Sequence, residues 1–307
     1  MMTSTANDKR AELIGAMANG VVPAMATPLQ DDGYRVNVNA LKSLVDLLLG
    51  AGVNGLFVGG TTGEGIVLDL EQRQLLHEET LAVVDRRAPV LVHTGANNTR
   101  DTIVLGRHAA EIGADGVVVI TPTFYPMPDD ALLAYFVEVA RAVPDLPLFV
   151  YDIPHMAVNG VGPALLEQLS QQIPNLAGLK CSRPDAQMIR QLIDALPADS
   201  GLGVFAGNER IALGSLALGA SGLISGLATA VPEPFVWLTR AYAAGDWSAA
   251  RREQKRINRL LDLMPAGARI GGIKAILQQR GIEVGSAVPP RHTPRCPGLW
   301  QEMQSLL

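Results

Sequence analysis

The sequence predicts an α/β protein, a (β/α)8 TIM barrel with a C-terminal helical extension. Three observations predict it: eight short apolar runs, helical patterns between them, and no dinucleotide fingerprint after the first run. The runs are 21–27, 55–60, 89–95, 116–121, 147–153, 176–180, 201–207 and 222–225. Each is rich in Val, Ile and Leu and bounded by Gly, Pro or Asn, as expected of parallel strands buried on both faces. Segments 39–50, 71–85, 100–112, 129–142 and 163–172 read as amphipathic helices between them. Eight strands alternating with helices close more naturally into a barrel than into an open sheet.

A doubly wound sheet is the rival architecture, and the glycines argue against it. The first run is followed by Pro28-Leu-Gln-Asp-Asp-Gly33, without the G-x-G-x-x-G turn that opens a dinucleotide-binding helix. The glycine cluster GGTTGEG (59–65) follows the second run instead and lacks the Gly-Lys-Ser/Thr ending of a phosphate loop. Helical segments 232–244, 247–263 and 270–280 follow without further strands. The proline-rich stretch 286–297 reads as an irregular crossing. The organisation expected is an N-terminal segment 1–20, a barrel 21–245 and the extension 246–307.

Composition narrows the function classes. Of 307 residues 48% are hydrophobic, and the net charge of −5 offers no basic field to nucleic acid or anionic lipid. Two distant cysteines, Cys181 and Cys296, form neither a disulfide framework nor a zinc pattern. Residues 1–20 lack the basic-then-apolar order of a secretion signal, and no long uncharged apolar run suggests a membrane span. A cytoplasmic protein is expected.

Catalytic groups on this fold sit at the C-terminal ends of strands, so each ending can be read for chemistry. The sixth run ends at Lys180, in a chain whose other lysines are only Lys9, Lys42, Lys255 and Lys274. Burial at a strand end favours the free amine over the ammonium, and a free amine attacks a carbonyl to form a Schiff base. A solvated lysine capping a strand is the plainer reading of that position alone. The second run ends in Gly60-Thr61-Thr62-Gly63-Glu64, where backbone N–H groups and hydroxyls can hold a carboxylate; a helix-capping turn is the alternative. The fifth ends in Tyr151-Asp-Ile-Pro154, whose phenol could move a proton beside an imine or simply sit at the rim. The seventh ends in Gly207-Asn208-Glu209. Polar endings on strands two, five, six and seven would share one mouth.

These residues carry a resemblance. From Val21-Val-Pro-Ala-Met-Ala-Thr-Pro28 to Gly271-Gly-Ile-Lys-Ala275 the chain resembles the pyruvate-dependent class I aldolases. That family includes N-acetylneuraminate lyase, dihydrodipicolinate synthase and 2-keto-3-deoxygluconate aldolases. GGTTGEG, Tyr151-Asp-Ile-Pro154 and Gly178-Leu-Lys180 are its most specific pieces. The resemblance implies a Schiff base on Lys180, a carboxylate held by Thr61 and Thr62, and proton transfer by Tyr151. Lys180, Tyr151 and Thr62 are thus the catalytic candidates. Gly60, Thr61, Thr62, Ser182, Gly207 and Glu209 are the candidates for substrate binding. It also implies a homotetramer built as a dimer of dimers, with no metal and no organic cofactor.

Two departures set the expected substrate. Synthases of the family carry an arginine after the fifth-strand Tyr-x-x-Pro that grips the second substrate's carboxylate; Met156 stands there. They also lend a tyrosine across a dimer interface, and in Thr121-Pro-Thr-Phe-Tyr-Pro126 the matching residue is Phe124, with Tyr125 displaced by one. Both favour sugar-acid aldolases over the lysine-pathway synthase, with Ser182 and Glu209 placed where those enzymes bind hydroxyls. The expected reaction is cleavage of a 2-keto-3-deoxy sugar acid, or a related 4-hydroxy-2-oxo acid, to pyruvate and an aldehyde. A dehydratase, a condensing synthase and a non-catalytic 2-oxo-acid sensor are the alternatives.

The remaining features read as structure. His77, His93, His108, His155 and His292 are dispersed without ligand spacing, although His155 follows Pro154 near the expected mouth. Cys181 points away from the mouth by strand alternation. Residues 251–256 mix charges on a solvated helix face.

Overall fold

The computed structural model describes residues 6–307, with side chains from residue 8. Eight parallel strands form one sheet: β1 (Val21–Pro23), β2 (Leu56–Val58), β3 (Val90–His93), β4 (Gly116–Ile120), β5 (Leu148–Asp152), β6 (Leu176–Cys181), β7 (Gly203–Ala206) and β8 (Gly222–Ser225). The order β1-β8-β7-β6-β5-β4-β3-β2 puts β1 and β2 at the two ends of the list. The parallel bridge Ala24–Phe57 and a 2.8 Å hydrogen bond from Met25 N–H to the Phe57 carbonyl bring those ends together. The result is the (β/α)8 barrel that the alternation of runs and helical patterns predicts.

Every strand is buried throughout, which is why the runs read as unbroken apolar stretches. Alternation still divides the side chains. Phe57, Leu91, Val118, Phe149, Ala177, Phe205 and Ile224 fill the barrel interior. Val58, Val90, Val117, Val150, Leu179 and Cys181 pack outward against the helices. Capping residues start several of those helices: Asp69 accepts from Gln72 N–H, Asn98 from Asp101 N–H and Asp185 from Gln187 and Met188 N–H. The ladders are shorter than the apolar runs. Beyond Pro23, for example, the chain turns its N–H groups to Phe57 and to the Thr229 hydroxyl.

The N-terminal segment is more than a leader to the barrel. Residues 1–5 lie outside the described part, but Ala6–Met17 is a helix whose Leu13 and Met17 join the barrel-interior cluster. Both approach the N-terminal ends of strands, at Gly116 and Gly55, so this helix plugs the closed end. At the other end Glu233–Ala243, Trp247–Asp262, Arg269–Gln279 and Leu299–Gln304 follow β8 as helices with no further strand. Among the described residues no helix is long and apolar enough to cross a membrane.

One glycine fixes the local course of β6. Gly178 has φ of 151°, and a Cβ there would stand 1.9 Å from the Gly203 carbonyl oxygen of β7. The β5–β6 register shifts just before it, and from Gly178 onward the pairing runs regularly through Tyr151 opposite Lys180. Gly178→Ala should therefore lower the midpoint of urea unfolding by the equivalent of about 3 kcal/mol, the upper range for overpacking a core. An unchanged midpoint would show that β7 can yield at no cost.

Candidate active site

The C-terminal ends of the strands open into a cavity of about 790 Å³, within the range of small-molecule sites. Thr61, Thr62, Tyr151, Lys180, Ser182, Gly207 and Glu209 all line it. Of the residues that the sequence proposes for the site, only Gly60 stays behind the wall. A Cβ on Gly60 would meet the Phe57 ring at 2.4 Å, so its part is to let the loop sit down on the barrel interior.

Lys180 is buried, at 3% exposure, and points into the barrel between two aromatic rings. Its Nζ lies 4.1 Å from the ring centre of Tyr151 and 4.6 Å from that of Phe57. The other buried lysine is arranged differently. Lys274 is fully buried, forms a 2.9 Å ion pair with Glu64 and donates to the Ser286 carbonyl at 2.7 Å. Burial pushes the Lys274 ammonium pKa down, while the Glu64 carboxylate opposes the shift. Lys274 is engaged at both partners. Lys180 has aromatic faces in place of a carboxylate and opens on the cavity, which suits it for reaction with a carbonyl.

The Tyr151 phenol meets the Thr61 hydroxyl at 3.1 Å, with either atom able to donate. A hydrogen-bonded pair of hydroxyls thus stands beside Lys180. Phe124 and Tyr125 are not part of it: both are exposed, their rings packed edge to face at 4.9 Å outside the cavity. His155 and Met156 do line the wall, Met156 largely exposed where the synthases' arginine is expected.

The loop that carries Thr61 and Thr62 is anchored from below. Glu64 adopts a left-handed conformation with φ of 58°, and its side chain is fully buried. Its Oε1 accepts from Val288 N–H at 2.9 Å and its Oε2 faces Lys274. Gly65 permits the tight return, since a Cβ there would stand 1.8 Å from the Gly59 carbonyl oxygen. Through Glu64 the proposed carboxylate-binding loop is tied to the C-terminal extension. That extension also supplies Arg269, Arg291 and His292 to the cavity wall. No spacing or strand ending marks those three in the sequence; they follow from how the tail returns over the mouth.

Glu209 was expected to face substrate hydroxyls. It is nearly buried, and its oxygens are engaged. Arg269 Nη2 donates to both at 2.8 Å, while the Ser225 hydroxyl and Leu227 N–H donate to Oε1 at 3.1 and 3.0 Å. Asp152, next to Tyr151, is likewise structural. It is fully buried, pairs with Arg183 through both oxygens, and accepts from Val161 N–H at 2.9 Å. That pairing raises the Arg183 pKa. Cys181 packs against the helix layer as alternation predicts, and burial pushes its thiol pKa up to about 12.

A polar cluster behind the site is invisible in the sequence. Arg73 is buried at 2% exposure and donates to the Gly95 and His93 carbonyls at 3.0 and 2.7 Å, and to His93 Nδ1 at 3.2 Å. A guanidinium only donates, so the neutral His93 ring carries its proton on Nε2. That ring packs edge to face with Phe57 and Tyr151. His77 approaches the same face of Gly59, whose Cβ position lies 3.2 Å from His77 Nε2 and 3.9 Å from His93 Cβ. The two histidines that the sequence separates thus come together beside Gly59, at the base of the loop that carries Thr61 and Thr62. Burial first, and the charge of Arg73 second, push both pKa values well below the usual imidazole range.

The pH dependence follows with a definite sign. As pH falls below about 6.5 the unfolded chain protonates both rings and the folded protein does not. Stability present above that pH is lost on acidification at about 1.4 kcal/mol per pH unit for each ring. His77 makes no hydrogen bond from either nitrogen among the described residues, so His77→Leu should fold. It should lessen the slope of stability between pH 6.5 and 5 by about 1.4 kcal/mol per unit. Urea unfolding across that range measures it, and an unchanged slope would refute the assignment of His77 as neutral.

Comparison with known proteins agrees with this geometry. The Dihydrodipicolinate synthetase family model matches residues 17–295. A 4-hydroxy-tetrahydrodipicolinate synthase of Exiguobacterium is 34% identical over 270 residues, covering 88% of this chain and 90% of that protein. Among solved structures, the wild-type sialic acid aldolase of Ruminococcus gnavus superposes with a TM-score of 0.88 at 27% identity, over 95% and 97% of the two chains. YagE, an E. coli K12 prophage protein of the dihydrodipicolinic acid synthase family solved in complex with pyruvate, gives 0.86 at 30% identity, over 94% and 97%. With its barrel, its buried Lys180 and a match over nearly its whole length, this chain belongs to the dihydrodipicolinate synthetase family of lyases.

Proposed function

We propose that the protein is a Schiff-base aldolase that cleaves a 2-keto-3-deoxy sugar acid, or a related 4-hydroxy-2-oxo acid, to pyruvate and an aldehyde. The observation that carries this reading is the placement of Lys180 Nζ over the Tyr151 ring at 4.1 Å, with the phenol bonded to Thr61. Lys180 attacks the 2-oxo carbon and water leaves, giving an iminium. Tyr151 takes the proton from the C4 hydroxyl as the C3–C4 bond breaks, and the bond's electrons pass into an enamine. Protonation at C3 and hydrolysis then release pyruvate and restore the amine. Thr61 and Thr62 hold the acid's carboxylate, with Ser182 and Gly207 along the cavity wall. Glu209 acts through Arg269 and the backbone it braces.

Condensation of pyruvate with an aldehyde is the second reading, because relatives such as the Exiguobacterium protein are named synthases. Met156, an apolar side chain on the cavity wall, and Phe124, which has no hydroxyl to lend where the synthases lend a tyrosine, weigh against a lysine-pathway synthase. A dehydratase shares the same iminium, which acidifies C3. A pure sensor has no use for the Tyr151–Thr61 relay. As in the family, we take the protein to act as a homotetramer in the cytoplasm. The exposed side chains Phe124, Tyr125, Met127, Met156 and Val158 support a contact with a second copy. Asn159 joins the loop of the first three to the segment of the last two by bonds to the Pro122 and Tyr125 carbonyls and from Met127 N–H.

Incubation with pyruvate and borohydride should leave a reduced adduct on Lys180 and none on Lys274. Mass spectrometry of the digested protein reads the site, and an unmodified Lys180 peptide in folded protein rules out the imine. A panel of 2-oxo acids scored for pyruvate release then ranks the substrates.

Tyr151→Phe should lower turnover by about 10²–10⁴-fold, the usual worth of a positioned acid–base group, while adduct formation stays detectable. Turnover near that of the unaltered protein would assign the proton transfer to another group.

A further inference from the structure

The cavity exceeds what a three-carbon oxo acid needs, and its outer wall is cationic. Beyond Lys180 it presents Arg210, Arg269 and Arg291 with the imidazoles of His155 and His292, against one carboxylate, Glu209. Two of these guanidiniums have counter-ions: Arg269 holds Glu209, and Arg210 pairs with Asp262 at 2.9 Å. Arg291 is different. Its nearest acid oxygen is Glu64 Oε1 at 3.8 Å, and that carboxylate is already matched by Lys274 at 2.9 Å. The Arg291 side chain makes no hydrogen bond among the described residues and is 43% exposed. It therefore brings an unmatched positive charge to the wall.

Arg269 also keeps donors in hand. Its Nη2 serves both Glu209 oxygens, while Nε and Nη1 bond to none of the described residues. It stands close to the carboxylate-binding loop: the Cβ position of Gly226 is 2.7 Å from Thr62 Oγ1 and 3.8 Å from Arg269 Nη2. A chain ending in a neutral hydroxymethyl group needs acceptors as well as donors. The charged side chains of this wall offer mainly donors, and the one carboxylate among them already accepts four hydrogen bonds, three of them on Oε1. Planar guanidiniums are instead matched to carboxylate or phosphate oxygens.

We propose that the substrate carries a second anionic group at the end remote from its 2-oxo acid, held by Arg291 with Arg269 as an additional donor. This deepens the aldolase reading and rests on it. The shared chemistry is that of a carboxylate or a phosphate ester on the aldehyde half of a keto-deoxy acid. The arginine missing at Met156 is not replaced in place; the counter-charge comes from the C-terminal extension instead.

The test is competition for borohydride trapping of isotopically labelled pyruvate on the native protein, protection of Lys180 being read as loss of the labelled adduct, since each competing acid forms an imine of its own there. Three six-carbon 2-oxo-3-deoxy acids compete, ending at C6 in a hydroxymethyl group, a carboxylate or a phosphate. At least one anionic-ended acid should protect Lys180 at a concentration about tenfold or more below the neutral-ended one, and the better of the two identifies the anion. In Arg291→Gln that ratio should fall toward one, and Arg291→Lys should restore part of it. Half-protection by the neutral-ended acid at a concentration equal to or below both anionic-ended acids overturns the proposal. So does a ratio that survives in both Arg291→Gln and Arg269→Gln. If pyruvate itself is not trapped, the aldolase reading falls and this inference with it, an outcome distinct from trapping without preference.

Discussion

The register between β5 and β6 is the constraint on which the site depends. Parallel pairing sets Tyr151 opposite Lys180, and strand alternation turns both inward at the mouth. A slip of one residue would turn Cys181 inward and Lys180 into the helix layer. The close contact of Gly178 with the Gly203 carbonyl helps to hold that register. The proposed nucleophile and the proposed proton carrier are thus positioned by backbone hydrogen bonding in the middle of a sheet, the least deformable part of the molecule. Once they are set there, specificity can be varied on the surrounding loops without disturbing the amine.

The barrel was legible because its strands are buried on both faces, so they stand out as apolar runs between amphipathic helices. Helices 129–142 and 163–172 fall at the expected bounds, because proline and acidic residues punctuate their starts. The site was legible to the extent that its residues end strands: Thr61, Thr62, Tyr151, Lys180, Ser182, Gly207 and Glu209 all reach one cavity. What stayed hidden depends on distant contacts. Arg269, Arg291 and His292 come from the chain's final segment, where no periodicity aims them at a barrel mouth. The expectation that Glu209 faces hydroxyls omitted Arg269, separated from it by 60 positions in sequence. His77 and His93 come together beside Gly59 only because a helix and a strand pack side by side.

Electrostatics at the mouth comes in two layers. The deeper one is Arg73, a guanidinium satisfied by carbonyls and an imidazole, lying beneath the loop that would hold the 2-oxo acid. Low-dielectric surroundings carry such a charge farther than water would. The outer layer is the arginines of the extension. An acid entering the cavity meets positive charge at the rim first and then below the threonine loop, although the protein as a whole is negative.

The Glu64–Lys274 pair also bears on the order in which the molecule can be made. Glu64 is synthesised early, and Lys274 with the Ser286–His292 crossing near the end. Until that tail emerges from the ribosome, a carboxylate destined for full burial has no cation beside it, and the Thr61–Thr62 loop has no floor. The strands can pair and collapse during synthesis, but the mouth is completed last. A nascent or truncated chain would therefore hold a barrel with Lys180 in place and an unfinished pocket above it. The cavity wall is complete only when the segment that carries Arg269, Lys274 and Arg291 has packed over the strand ends.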